Sequence, residues 1–108
     1  MTLYAGFPDL EHLVELLDPA RPVYALSLTE THHGDHALAV QTTYIVVSQP
    51  RGADTVYYCR IPTARLEYVA GRPLGPDHAE RHQAALDAWT RVLAYLDAEG
   101  IDTTPAVI

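Results

Sequence analysis

The chain has 108 residues, of which 48% are hydrophobic and 19% are charged, and its formal net charge is −7. This length fits one domain that buries roughly 60–70% of its unfolded surface, and the composition is that of a globular protein rather than a disordered one. The acidic balance works against general affinity for nucleic acids or anionic membranes, because both carry negatively charged phosphate groups.

The cellular compartment is indicated by the cysteine content and by two missing patterns. The single cysteine, Cys59, excludes an intrachain disulfide and favours a reducing cytosol. The sequence has no basic segment followed by an apolar core at its start, and no apolar run reaches the roughly 18–20 residues of a membrane span. All seven cationic residues are arginine, a bias typical of a high-GC bacterial genome. We therefore expect a cytoplasmic bacterial protein.

The first predicted element is a helix. Pro8 near the first helical position and the acidic residues Asp9 and Glu11 after it are typical of a helix start. Four apolar residues then recur at helical spacing and form one apolar stripe: Leu10, Leu13, Val14 and Leu17. The helix has to end before Pro19, because the residue that precedes a proline is biased away from helical geometry.

Two predicted strands and a turn follow. Residues 23–30 alternate so that Tyr24, Leu26 and Leu28 share a face. Residues 31–35, where Gly34 is able to take a positive φ, predict the tight turn of an antiparallel hairpin. Residues 37–48 are rich in Val, Ile, Thr and Tyr and are largely apolar on both faces. We therefore expect an interior strand that is covered on both sides.

The third predicted strand covers residues 55–61 and is followed by a proline. Pro62 has no N–H to donate to a ladder, so it predicts a sheet edge, a bulge or a break. Alternation resumes at residues 64–70, which predicts either a fourth strand or a bent continuation of the third.

A long helix is predicted near the end of the chain. Pro76 and Asp77 mark its start, and Gly100 fits the position after its end, with Ile101 folding back in a Schellman motif. A seven-residue stripe is expected to be buried: His82, Ala85, Leu86, Trp89, Val92, Leu93 and Leu96. Residues 102–108 are interpreted as a loose or docking tail.

The predicted fold class is a single α+β domain over residues 1–108. An antiparallel meander of three to four strands is flanked by an N-terminal helix and a longer C-terminal helix, in the order α-β-β-β(-β)-α. Such a sheet has two faces, and only two helices can cover them.

Histidines suggest a metal site. Two histidines four residues apart on the last helix share a face, and a hairpin histidine or aspartate could complete a site for zinc or nickel. The alternative interpretation is that the hairpin residues are ordinary solvated loop side chains, since no established ligand spacing is present. The candidate ligands are His32, His33, Asp35, His36, His78 and His82.

Two further patterns are weak indications of function. Cys59 and Arg65 have the C-x5-R spacing of the cysteine phosphatases, but the intervening loop has no glycine and strand residues follow it instead of a helix. Four arginines near the third strand alternate with tyrosines, as in surfaces that bind single-stranded nucleic acids. These are Arg51, Arg60, Arg65 and Arg72. The acidic net charge argues against that use, and edge-strand arginines also discourage aggregation.

The functional hypothesis has two grounds. The sequence contains no recognisable set of catalytic residues, and its predicted strands are rich in aromatic residues. Seven of the nine aromatic residues are tyrosines, and amphipathic aromatics on a small sheet are typical of subunit interfaces. The candidate interface residues are Tyr24, Tyr44, Tyr57, Tyr58, Tyr68 and Trp89. We expect a non-enzymatic protein-binding or assembly module, such as an adaptor or chaperone-like subunit, that forms a homodimer and binds no cofactor. The alternative function is a histidine-cluster metal-binding protein or metal-dependent enzyme.

Overall fold

A computed structural model describes residues 1–105 of the chain. These residues form six strands and two helices: β1 (Leu3–Phe7), α1 (Leu10–Glu15), β2 (Val23–His33), β3 (Leu38–Arg51), β4 (Thr55–Val69), β5 (Arg72–Leu74), α2 (His78–Ala98) and β6 (Thr103–Pro105). The start of the expected tail is thus a strand, and residues 106–108 of that tail lie outside the described residues. Neither described helix is long and apolar enough to cross a membrane.

The six strands form one mixed sheet in the order β1-β4-β3-β2-β6, with β5 also paired to β4. β2, β3 and β4 form the predicted antiparallel meander. The prediction of a purely antiparallel sheet of three to four strands is wrong, because β1 runs parallel to β4 and β6 runs parallel to β2. These two strands have five and three residues and pair with partners that are distant in sequence, so local alternation does not indicate them.

β4 is one long strand with a bulge near its middle. Tyr44 of β3 pairs with Pro62, and Thr43 pairs with Ala64, so Thr63 is an extra residue on β4. The bulge leaves Pro62 in a position where its missing N–H is tolerated. Of the two alternatives for residues 64–70, the bent continuation of the third strand is the one observed.

The hairpin between β2 and β3 turns later than predicted. β2 continues to His33, and the turn takes residues 34–37, where the amide of Gly34 donates a hydrogen bond to the carbonyl of Leu38 at 2.9 Å. The positive φ angles belong to His36 (58°) and Ala37 (59°), whereas Gly34 has none. The predicted role of Gly34 is therefore wrong, because cross-strand pairing extends through the three polar residues before it.

The stripe predicted for α1 packs on the core, but the helix ends at Glu15, so Leu17 contacts the core from the loop that follows. Asp9 caps the helix, since its carboxylate accepts a hydrogen bond from the amide of His12 at 2.9 Å. Leu13 is fully buried, and the other three stripe residues pack partly buried against the same core. α1 thus lies on the sheet with its apolar side against the core.

The stripe predicted for α2 is only partly right. Ala88, Val92 and Leu96 are the buried residues of this helix, whereas Leu86 is 46% exposed and His82 is also exposed. The cause is the position of the helix, which packs against β4, while β2 is buried on this side only at Val23 and Ala25 and stays exposed at Ser27 and Thr29. The side of α2 that holds His82 and Leu86 therefore borders a groove instead of the core.

Both ends of α2 agree with the sequence. Asp77 is its N-cap and accepts a hydrogen bond from the amide of Glu80 at 2.8 Å. At the other end Gly100 has a φ of 76°, and the amide of Ile101 donates to the carbonyl of Leu96 at 2.9 Å. This is the predicted Schellman motif.

The core lies between the two helices and one face of the sheet. It joins buried residues of α1, α2, β2, β3 and β4: Leu13, Val23, Ile45, Val47, Cys59, Val92 and Leu96. Burial alternates along β3, so the residues between the buried ones are only half-buried. The expectation that this strand is covered on both sides is wrong, because both helices pack on the same face.

Gln49 is a fully buried polar residue of β3 that the sequence interpretation missed. Its side-chain oxygen accepts a hydrogen bond from the amide of Asp18 at 2.8 Å. Its amide nitrogen donates to the carbonyls of Asp18, at 2.8 Å, and Arg21, at 3.3 Å. One side chain thereby fixes the loop between α1 and β2 to the sheet.

Candidate functional site

The sheet face opposite the helices is the candidate interaction surface. We call it the open face. Strand register places the following residues on it: Tyr4, Tyr24, Leu26, Leu28, Glu30, Thr42, Tyr44, Val46, Tyr58 and Arg60. The residues that alternate with them along β2, β3 and β4, such as Ala25, Val47 and Cys59, point into the core. Within residues 1–105, no helix lies over the open face.

The open face is aromatic and aliphatic along most of its width. Tyr4 is 69% exposed and Leu28 is 38% exposed, while Tyr24, Tyr44 and Tyr58 are half-buried by their neighbours on the sheet. The rings of Tyr4 and Tyr58 meet edge to face, with centroids 6.3 Å apart. The half-buried rings present broad, ordered apolar surface, which costs little conformational entropy when it is covered by a partner.

A charged group lies inside this apolar surface. Arg60 on β4 reaches across β3 to Glu30 on β2, with its Nη2 at 2.7 Å from the Oε1 of Glu30. The guanidinium also stacks over the ring of Tyr44, 4.3 Å from its centroid. The hydrogen bond from Arg60 lowers the pKa of Glu30, and the same contact raises the pKa of Arg60. Both charges are thus neutralised within one chain and held in a fixed position.

The six candidate interface residues divide between the two sides of the sheet. Tyr24, Tyr44 and Tyr58 lie on the open face. The remaining three lie on the helix side: Tyr57 packs on Phe7, Tyr68 bonds to His78, and Trp89 packs against the core. Sequence reasoning missed Tyr4, because β1 was not predicted as a strand, and it missed the Arg60–Glu30 pair, because neither residue indicates its partner.

The candidate metal ligands are spread over the molecule. His32 lies on the open-face side, 3.5 Å from Glu30, while His33 faces the other way by strand alternation. His78 contacts the hydroxyl of Tyr68 at 2.8 Å, and His82 lines the groove beside α2. Asp35 and His36 stay in the hairpin turn. In the part of the chain that the structure describes, no three His, Cys, Asp or Glu side chains come together as a metal site. Metal binding remains a prediction from the sequence.

Cys59 and Arg65 do not form a phosphatase loop. Cys59 is fully buried on the helix side of β4, and burial raises the pKa of its thiol. Arg65 pairs with Thr42 in the ladder and so lies on the opposite side, where its Nη2 is 3.0 Å from a carboxylate oxygen of Glu67. A thiol that is protonated, buried and separated from the arginine by the sheet cannot attack a bound oxyanion.

The four arginines also have separate surroundings. Arg60 and Arg65 each form an ion pair with a glutamate. Arg51 donates to the carbonyl of Leu16 and stacks over Tyr57, on the helix side. Arg72 lies on β5 beside Val69, at the end of β4 away from Arg51. Because carboxylates offset two of the charges and the other two arginines lie at opposite ends of β4, the four residues form no continuous basic surface.

No protein-family model matches this chain. No match was found among curated proteins or among solved structures.

Proposed function

We propose that this protein is a non-enzymatic assembly module that forms a homodimer through its open face. The observation that carries the proposal is a broad, largely aromatic and aliphatic sheet face over which no helix of residues 1–105 lies. Exposed apolar patches of this kind mark protein interaction sites in proteins that are otherwise well packed. A second copy offers the same surface, as a two-fold interface requires.

The shape and the exposed area of the chain support the same proposal. Its radius of gyration is 15.8 Å, against about 13 Å for a compact chain of this length. The accessible surface is 7142 Å², roughly a fifth above that expected for a monomer of this mass. The molecule is a two-layer plate, 24 Å in its shortest dimension. A standard interface covers about 800 Å² on each partner, so one dimer contact would bring the exposed area near the usual value.

The polar residues of the open face fit an interface with a second copy. Glu30 and Arg60 already satisfy each other, so covering them leaves no single buried charge without a partner. The neighbouring Leu28, Tyr44 and Val46 carry no charge, which is typical of the centre of an interface, whereas the Arg65–Glu67 ion pair and His32 lie nearer the hairpin end of the face. An adaptor or chaperone-like role would use the resulting dimer to hold another protein.

Light scattering after gel filtration tests the proposal with a matched pair of variants. We expect wild-type protein at micromolar concentration to elute at twice the chain mass of 11.9 kDa. Leu28→Lys places a charge on the open face and is expected to give monomers. Leu86→Lys makes the same change at a similarly exposed leucine of α2 and should leave the dimer intact.

Circular dichroism of both variants serves as the folding control, since both leucines are partly exposed. A wild-type protein that stays monomeric at every concentration tested would overturn the proposal. Equal dissociation by the two variants would show that the open face is not the interface.

A further inference from the structure

A groove lies on the helix side of the sheet, between α2 and the part of β2 beyond Ala25. We call it the α2–β2 groove. The residues that matter for its chemistry are Ser27, Thr29, Thr43, Arg81, Leu86 and Trp89. Its volume is about 320 Å³, which lies at the lower end of the range for small-molecule sites. It arises because α2 packs against β4 and leaves Ser27 and Thr29, in the later part of β2, exposed.

The groove has one apolar wall and one polar floor. Leu86 and Trp89 of α2 form the wall. The floor carries hydroxyl groups from β2 and β3, and the Oγ1 atoms of Thr29 and Thr43 lie 3.1 Å apart. Thr43 is buried, so this part of the floor is fixed in place. A planar apolar group could therefore lie on Trp89 while its polar end meets hydroxyl donors.

Arg81 brings a positive charge to one end of the groove. Its Nη1 donates a hydrogen bond to the side-chain oxygen of Gln41 at 2.8 Å. Within residues 1–105 the guanidinium forms no ion pair and no second hydrogen bond, although it has five N–H donors. No carboxylate lines the groove. In a chain with a net charge of −7, this is a local site that favours an anion.

We infer that the α2–β2 groove binds a small organic carboxylate with a planar apolar body. The carboxylate would accept hydrogen bonds from the free side of the Arg81 guanidinium, whose fork matches two carboxylate oxygens. The apolar body would lie against Trp89 and Leu86. The arrangement favours a carboxylate over a phosphate ester, because one arginine and an apolar wall suit one negative charge and a hydrophobic group. The inference is independent of the proposed dimer, since the groove and the open face are on opposite sides of the sheet.

Tryptophan fluorescence provides a direct test, because Trp89 is the only tryptophan of the chain. Benzoate is the probe, and benzyl alcohol is its uncharged counterpart. We expect benzoate to change the Trp89 emission with saturation, and benzyl alcohol to bind at least about tenfold more weakly, since a hydrogen bond to a charged group is lost. In an NMR titration with benzoate, the chemical shifts of the backbone amides should change at Ser27, Thr29 and Leu86 and stay constant at Tyr44.

Three variants identify the contacts. Arg81→Gln is expected to weaken benzoate binding at least about tenfold. Arg91→Gln removes the same charge from an exposed position on the same helix, outside the groove, and should leave the affinity unchanged. Thr29→Val removes one hydroxyl and keeps the charge, so we expect it to weaken benzoate binding several-fold. If Arg81→Gln does not fold, the affinity of Thr29→Val for benzoate provides the test.

Two results would overturn the inference. One is the lack of a saturable response of the wild-type protein to benzoate. The other is equal affinity for benzoate and benzyl alcohol, which would mean that the groove binds apolar groups without regard to charge.

Discussion

At the scale of single residues, the buried side chain of Gln49 joins the loop after α1 to β3. It offers an acceptor and two donors, and all three are used by backbone groups of the loop after α1. A buried polar group is stabilising only while its partners are present. The loop at Asp18 and Arg21 and the amide of Gln49 therefore depend on each other.

We expect Gln49→Leu to lower the free energy of unfolding by about 1–3 kcal/mol, because it leaves the buried backbone groups of Asp18 without partners. Gln83→Leu is the matched control: Gln83 is exposed on α2 and bonds only to Asp87, so the effect should stay within about 0.5 kcal/mol. Urea denaturation measures both values. Similar losses for the two variants would contradict this role of Gln49.

The helix cap at Asp9 has a pH dependence of its own. The amide and ring of His12 lower the pKa of Asp9 below 3.8, and the carboxylate of Asp9 raises the pKa of His12 above 6.5. The contribution of Asp9 to stability is therefore present above its unfolded pKa and is lost as the pH falls through its lower folded value. The contribution of His12 is complete below its unfolded pKa and is lost as the pH rises through its higher folded value.

A titration of the His12 ring by NMR tests this pair. We expect a pKa above 6.5 in the wild-type protein and a decrease in Asp9→Asn, because the hydrogen bond from Asp9 is the main cause of the increase. Glu15→Gln removes a weaker electrostatic contribution and should lower the pKa less. Equal decreases in the two variants would mean that general negative charge, not the Asp9 contact, sets the value.

At the scale of elements, the ends of α2 could be predicted from the sequence, but its buried side could not. Asp77 and Ile101 act on backbone groups a few residues away, so local sequence contains the information. The side of a helix that is buried depends on where the helix lies on the sheet. Leu86 has the spacing of a core residue, yet no element covers it, because α2 packs over β4.

The C-terminus of α2 gives the prediction at this scale. Gly100→Ala is expected to reduce the free energy of unfolding by about 1 kcal/mol, because a side chain disfavours the left-handed φ of 76° found there. Gly34→Ala is the control, since Gly34 has no positive φ and an added Cβ would be 3.6 Å from Leu38, an ordinary contact. Its effect should stay below about 0.5 kcal/mol. Thermal unfolding compares the two, and a larger loss at Gly34 would contradict the assignment.

At the scale of the whole molecule, the sequence predicts which residues alternate between the two faces of β2 and β3. It does not predict which of the two sheet faces lacks a helix. The sequence places Tyr24, Leu26 and Leu28 on one side of a strand, as observed. Whether that side is covered depends on how the two helices are distributed, and nothing local to β2 determines this. The predicted interface includes both Tyr44 and Tyr57, although they lie on opposite sides of the sheet. The register between β3 and β4 decides this, and local sequence does not contain it.

Net charge leads to a prediction about the proposed dimer. Each chain carries −7, so two copies repel each other over distances that added salt shortens. Association through an apolar face should therefore become tighter as sodium chloride is raised from low to physiological concentration. Sedimentation equilibrium measures the dissociation constant in each buffer. A dissociation constant that rises with salt would mean instead that ion pairs between the chains hold the dimer together.

The two short strands on the outer edge of β4 limit how far such an assembly can grow. β1 pairs with Thr55–Cys59 and β5 pairs with residues 67–69, which leaves a gap along the same edge. That gap holds Pro62, which lacks an N–H, the bulged Thr63, and two arginines. Along this edge an incoming strand would meet an interrupted row of backbone hydrogen-bonding groups and two positive charges. Copies that meet face to face would thus find little along this stretch of the β4 edge from which a lateral fibre could grow.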